Sequence, residues 1–198
     1  MTFRTRIALR TRIAVPALAA LALAPGGPAF AESTDAPPRV ESLLQLPGVR
    51  QAAREATRLR PAAVHPVAAP VRYGEGGARY GADRGGRMHE GQDVFAPAGT
   101  PLVAVRDGVV LETGDDGGRG NYLAIWSERA QETYVYLHLL EPPEVGAGDR
   151  VGVGESVGRV GCTGSCFGDH LHFEVRRGKT LEGASRDPLE LLRRWPRA

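Results

Sequence analysis

The sequence predicts a mainly β protein, an antiparallel sheet or sandwich, on three observations. From about Val67 onward, short runs that alternate in polarity or are β-branched recur: TPLVAV, GVVLETG, NYLAIWS, TYVYLHL, RVGVGESVGRVG and HLHFEVRR. Glycine-containing turns separate them, the pattern of many short strands. One late stretch, DPLELLRRW, has helical character, with Asp187 as N-cap and Pro188 at the first helical position. The segment GVGESVG superficially suggests a dinucleotide-binding turn, but its glycine spacing is wrong and no helix follows.

The chain opens differently. MTFRTRIALRTR carries four arginines and no acid, an apolar run follows from Ile13 to Ala24, and AFA at Ala29–Ala31 precedes Glu32. A basic start, a short apolar stretch and an A-x-A site together read as a signal peptide over residues 1–31, cleaved near Ala31. The apolar run falls short of the ~20 residues of a spanning helix, and Pro16 interrupts it. No transmembrane segment is therefore expected in the mature chain, and an extracellular or cell-envelope location is. Without Arg4, Arg6, Arg10 and Arg12, 21 basic residues remain against 23 acidic ones. The basic balance thus belongs to the export signal, and no basic stripe remains to suggest nucleic acid.

Residues 32–64 are rich in Ala, Pro and Arg and lack aromatics. They read as a linker or pro-segment, with a short helix expected over Val49–Leu59 between Pro47 and Pro61. One globular domain, residues 65–198, accounts for the remainder; a monomer is expected. Export also places Cys162 and Cys166 in an oxidising compartment, where a disulfide persists. The competing reading, half of a zinc site, lacks a second cysteine pair to complete it.

Five histidines occur in the chain. Side chains two apart on a strand share a face. In HLHFEV this sends His170, His172 and Glu174 one way and Leu171, Phe173 and Val175 to the core. In TYVYLHL the same rule turns Val135, Leu137 and Leu139 inward and Tyr134, Tyr136 and His138 outward. His89 and Asp93 lie four apart around Gly91, whose backbone latitude makes a regular helix unfavourable. Two histidines and an aspartate are a normal zinc set with one position left for water. His65, before Pro66 at the edge of the linker, reads as a surface histidine. Glu174 is expected to orient a histidine ring or to face solvent.

HEGQD, then YLHL, then GCTGSCFGDHLHFEV, in that order, resembles the lysostaphin-type (LytM) zinc endopeptidases of peptidoglycan. Their pattern is HxGxD, YxHL and TGxxxGxHLHFE, and the likeness runs from about Val64 to Trp195. It implies a mainly antiparallel, duplicated-hybrid-motif-like β fold with a long cleft. It implies one zinc ion per chain held by His89, Asp93 and His172, and catalytic histidines at His138 and His170. It also implies peptidoglycan peptides as substrate, and hydrolysis of cross-links or stem peptides as the reaction. Some relatives lose ligands and serve as non-catalytic wall-binding domains or regulators of wall amidases. The intact set here opposes that second reading.

Overall fold

A computed structural model describes residues 46–198; the expected signal peptide and the first part of the expected linker lie outside these described residues. A helix, α1, runs Pro47–Leu59 with proline in its first turn, and ends as Arg60 turns extended before Pro61. Ten strands follow: β1 (Arg72–Tyr73), β2 (Gln92–Phe95), β3 (Pro101–Val103), β4 (Gly108–Asp116), β5 (Gly120–Ser127), β6 (Glu132–Leu139), β7 (Arg150–Val151), β8 (Ser156–Arg159), β9 (His170–Arg177) and β10 (Ser185–Arg186). A second helix, α2, spans Leu189–Arg194. No described helix is long and apolar enough to cross a membrane.

Seven strands form one sheet in the order β1-β2-β9-β6-β5-β4-β7, with β10 beside the far half of β9; β3 and β8 pair separately. Every ladder is antiparallel. One face of the large sheet supplies Leu123, Ile125, Tyr134, Tyr136, Leu171, Phe173 and Val175 to the main core. Leu102 and Val157 from the small sheet and Leu192 from α2 close over it. The opposite face carries the polar residues of β2 and β9 beside a smaller apolar cluster, Tyr122, Ala124, Val135 and Leu137.

The alternation expected in HLHFEV holds: Leu171, Phe173 and Val175 are fully buried in the core. That expected in TYVYLHL does not. Tyr134 and Tyr136 face the core, where Phe173 stacks on one ring and meets the other edge-on. Val135 and Leu137 face the other side. His138 takes a left-handed backbone with φ of 65°, and the β5–β6 register shifts beside it. This bulge re-phases the strand, so Leu137 and His138 share the polar face and Leu139 returns to the core. The hydroxyl of Tyr136 donates to Val103 O (3.1 Å) and accepts from Val105 N–H (3.0 Å), so it links the two sheets and leaves the cleft.

His65 is also corrected, since it is fully buried rather than on the surface. Its Nδ1 accepts from Val67 N–H (3.1 Å), its Nε2 faces Tyr73 Oη (3.3 Å), and that hydroxyl donates to Leu192 O (3.0 Å). Packing reaches back before His65: Arg106 Nη1 donates to Ala62 O (2.9 Å) and Val64 N–H to Val105 O (3.0 Å). At the other end, α2 begins one residue later than expected. Pro188 holds the cap position, and the Asp187 carboxylate still accepts Leu189 N–H (2.8 Å).

Two predictions follow from this packing. Tyr136→Phe strands a buried carbonyl and a buried N–H, and should cost on the order of 2 kcal/mol in urea unfolding while metal affinity is unchanged. Burial lowers the pKa of His65 to about 4, so the folded chain resists a proton that the unfolded chain accepts near 6.5. Its contribution is complete above pH 6.5 and is lost as pH falls toward 4, by roughly 3 kcal/mol in all. Unfolding of wild type and His65→Asn compared across that window should show the variant losing less stability on acidification.

Candidate metal centre and cleft

The centre is assembled by strand register. In the β2–β9 ladder Asp93 lies opposite His172 and Phe95 opposite His170, while β6 sets Leu137 against His172 from the other side. All of these point to the polar face. His89 precedes β2 in a turn fixed by His89 N–H to Ala82 O (2.8 Å) and Gly81 N–H to His89 O (2.9 Å). Gly91 lets that turn approach. A Cβ there would stand 2.6 Å from His172 Nε2 and 2.7 Å from Phe173 O. Its φ is not positive, so the requirement is the missing side chain rather than the backbone latitude expected from sequence.

The ligand atoms of His89, Asp93 and His172 all lie within 4.8 Å of one another, and all three residues are buried. His89 Nε2 is 2.9 Å from His172 Nδ1 and 3.1 Å from Asp93 Oδ1; His172 Nδ1 is 3.0 Å from the same oxygen. The outward nitrogens are committed: His89 Nδ1–H to Arg79 O (2.7 Å) and His172 Nε2–H to Glu174 Oε1 (3.0 Å). With neutral rings, three lone pairs then face one another. A proton on His172 relieves part of this; a divalent cation satisfies all three. Burial alone would raise the Asp93 pKa, but hydrogen bonds with His172 and His89 hold it well below the usual carboxylate range. The donor set fits a metal ion.

Two further histidines border the cluster. His170 Nε2 lies 3.6 Å from Asp93 Oδ1, and the His138 ring is 5.0 Å from that of His170 and 6.0 Å from that of His172. Each turns Nδ1 outward to a carbonyl, His138 to Thr163 O (2.8 Å) and His170 to Gly168 O (2.7 Å). Their Nε2 atoms are left as acceptors. Burial lowers the His138 pKa to about 4 against the raising effect of the Thr163 carbonyl, so it is neutral at pH 7. Thr163 lies inside the loop closed by the Cys162–Cys166 disulfide, whose Cα atoms are 5.4 Å apart, and Gly168 lies two residues beyond it. Cys166 Sγ lies 3.8 Å from His170 Nδ1, so the bridge abuts the ring it helps to orient.

Of the charges behind the cluster, sequence reasoning reached Glu174, which does meet a histidine ring, and missed Arg176, Glu90 and Arg84. Arg176 donates to Glu174 Oε2, to Glu90 Oε2 (2.8 Å) and to Gly183 O (3.1 Å). Burial raises the Glu174 pKa, but His172 and Arg176 outweigh it and keep the carboxylate ionised. Continuing the i, i+2 face from His170 through Glu174 reaches Arg176, so that signal was present. Arg84, which donates to Asp93 Oδ2 (3.1 Å), sits in an irregular turn with no periodicity to reveal it. The centre opens into a cleft of about 610 Å³ lined by Arg84, His89, Arg119, His138, His172 and Glu182 among others.

An antiparallel sheet and the turn before β2 bring two histidines and an aspartate to one point beneath an open cleft, the arrangement of a candidate metal centre. The chain belongs to peptidase family M23, whose model matches residues 87–188. It is 35% identical over 123 residues to the peptidoglycan DD-endopeptidase ShyC of Vibrio cholerae, covering 61% of this chain and 24% of that protein. To the glycyl-glycine endopeptidase ALE-1 of Staphylococcus capitis it is 33% identical over 109 residues, 54% of this chain and 30% of the relative. The chain thus spans less than a third of the length of these curated relatives. Among solved structures, the catalytic domain of lysostaphin from Staphylococcus simulans superposes with a TM-score of 0.55 at 31% identity. That match covers 62% of this chain and 92% of the domain. A zinc-containing peptidase from Vibrio cholerae gives 0.51 at 32% identity, over 59% and 37% of the two chains. The lysostaphin-type fold implied by the sequence motifs is thereby established.

Removing the carboxylate that orients His172 tests the centre directly. Glu174→Ala should weaken divalent-metal affinity by roughly 10- to 100-fold, measured by competition with a chelator. An unchanged affinity would mean that packing alone holds the ring.

Proposed function

We propose that this protein is an exported zinc endopeptidase that hydrolyses peptide cross-links or stem peptides of bacterial peptidoglycan. The observation that carries this reading is the convergence of His89 Nε2, Asp93 Oδ1 and His172 Nδ1, with acceptor nitrogens of His138 and His170 beside them. Two imidazoles and one carboxylate suit zinc, and the family membership supports a peptidase. The zinc-containing V. cholerae structure supports the choice of ion. Export is supported by the basic, apolar, A-x-A pattern of residues 1–31.

Zinc, when bound, supplies Lewis acidity to a water nucleophile and to the scissile carbonyl. The residues of the chain do the rest. A peptide laid along the cleft presents its carbonyl to the polar face of β9. Of His138 and His170, one accepts the proton from water at Nε2 and delivers it to the departing amine. The other, once it carries a second proton at Nε2, donates from there to the developing oxyanion. Their outward bonds to Thr163 O and Gly168 O fix the tautomer for the first role and the ring orientation for both. Asp93 contributes a single negative charge, so the ion keeps net positive charge. The intact pair of histidines favours catalysis over a purely regulatory role.

The double variant His138→Ala, His170→Ala should bind zinc as the wild type does and release no peptide from purified cell walls. Mass spectrometry of the soluble products reads the outcome. Release at the wild-type rate would remove both histidines from the mechanism, and zinc-free wild type that still cleaves would remove the metal.

A further inference from the structure

We propose that Arg84, backed by Phe167, forms a carboxylate-recognition site that selects cross-links in which the carbon bearing the scissile nitrogen also carries a free carboxylate. The inference rests on the peptidoglycan-peptidase reading and names the bond class that reading leaves open.

Arg84 is held in one pose. Its Nε and Nη2 both donate to Gly77 O, at 3.1 and 2.9 Å, and Nη2 also reaches Asp93 Oδ2. The guanidinium carbon stands 5.5 Å from the centre of the Phe167 ring. These contacts use Nε–H, both hydrogens of Nη2 and one face of the group. Nη1 has no hydrogen-bond partner among the described residues, and a quarter of the side chain remains exposed in the cleft wall. Steadying Asp93 takes Nη2 alone and leaves Nη1 free to meet a ligand in the cleft that Arg84 lines. A planar guanidinium with free N–H groups is the side chain best matched to a carboxylate.

Its place limits which carboxylate. Asp93 turns Oδ1 to the two histidines and Oδ2 to Arg84, so the guanidinium lies one carboxylate's width from the metal-ligand atoms. A group held there belongs to the residue flanking the scissile carbonyl. When D-alanine is joined to a diamino dicarboxylic acid, the carbon bearing the scissile nitrogen carries a free carboxylate. A bridge through the side-chain amine of a monocarboxylic diamino acid has a methylene at that position, and an oligoglycine bridge has an amide beyond it. Only the first offers Arg84 an anion. Phe167, 75% exposed and next in the chain after the bridged Cys166, covers one face of the guanidinium and screens it from water, which strengthens such a contact.

The test compares matched peptides. A stem peptide cross-linked through a diamino dicarboxylic acid is prepared with its carboxylate free or converted to an amide, beside a pentaglycine peptide. For the zinc-loaded wild type, kcat/KM should favour the free acid over the amide by about 10- to 100-fold, as a charge-assisted hydrogen bond implies. Arg84→Gln should bring that ratio close to one, mainly through KM for the acid, and Arg84→Lys should restore part of it. The ratio is insensitive to any zinc lost through Asp93, because both peptides meet the same active fraction. Calorimetric titration of the His138→Ala, His170→Ala variant, with and without Arg84→Gln, supplies a binding readout free of turnover. An acid-to-amide ratio that is the same in wild type and Arg84→Gln, or a wild type that prefers pentaglycine, overturns the proposal and leaves the hydrolase reading intact. If the wild type cleaves none of the peptides, the hydrolase reading fails and the calorimetric acid preference decides this one.

Discussion

The register between β2 and β9 is the constraint on which the rest depends. Asp93 opposite His172 sets a carboxylate and an imidazole side by side, and Phe95 opposite His170 brings the next histidine to the same rim. A slip of one residue would turn Asp93 toward the core and leave Val94 facing the histidines. The apolar side of the same strands opposes that slip. Val94, Leu171, Phe173 and Val175 are fully buried between the two sheets. The hydrophobic core and the metal centre are thus two faces of one ladder, and the strength of the first secures the geometry of the second.

Holding four imidazoles this close requires that each ring be oriented from behind. Every one has a nitrogen tied outward: His89 to Arg79 O, His138 to Thr163 O, His170 to Gly168 O and His172 to Glu174. Three of the four tethers are backbone carbonyls, so the positions of loops decide the tautomers of side chains. The loop from Gly161 to Gly168 supplies two of them. The close approach of Gly164 to Gly120, where a Cβ would stand 2.2 Å from its nitrogen, and the Cys162–Cys166 bridge both restrain that loop. Its glycines and cysteines therefore act on the histidines as well as shaping the cleft wall.

Charge is layered around the cluster. Two ionised groups, Asp93 and Glu174, touch His172 from opposite sides, and each is met in turn by an arginine, Arg84 and Arg176. Glu90 closes the second chain at the cleft rim. Buried carboxylates are tolerable only when so paired. The arrangement keeps both ionised, one beside the metal site and one behind the ring that faces it.

Local pattern alone was enough for β3 to β9, though not for β1, β2 or β10, and for the shared face of His170, His172 and Glu174, because a two-residue period follows from strand geometry wherever a strand stays regular. It was also enough for the ordered motifs that carry the family, since these are contiguous residues. Long-range contact decided the remainder. A bulge at His138 reversed the faces of Tyr134 and Tyr136, and no period predicts where a ladder will shift. His65 was drawn into the interior by Tyr73 and α2, residues remote from the edge at which it sits. Gly91 is needed because His172, eighty-one positions on, occupies the space a side chain would fill. Arg84 acquired its place beside Asp93 through a turn with no regular structure. For Gly91 and His65 the deciding partner, His172 or α2, is distant in sequence and only folding brings it near; for Arg84 it is close in sequence, but the turn between has no period to read.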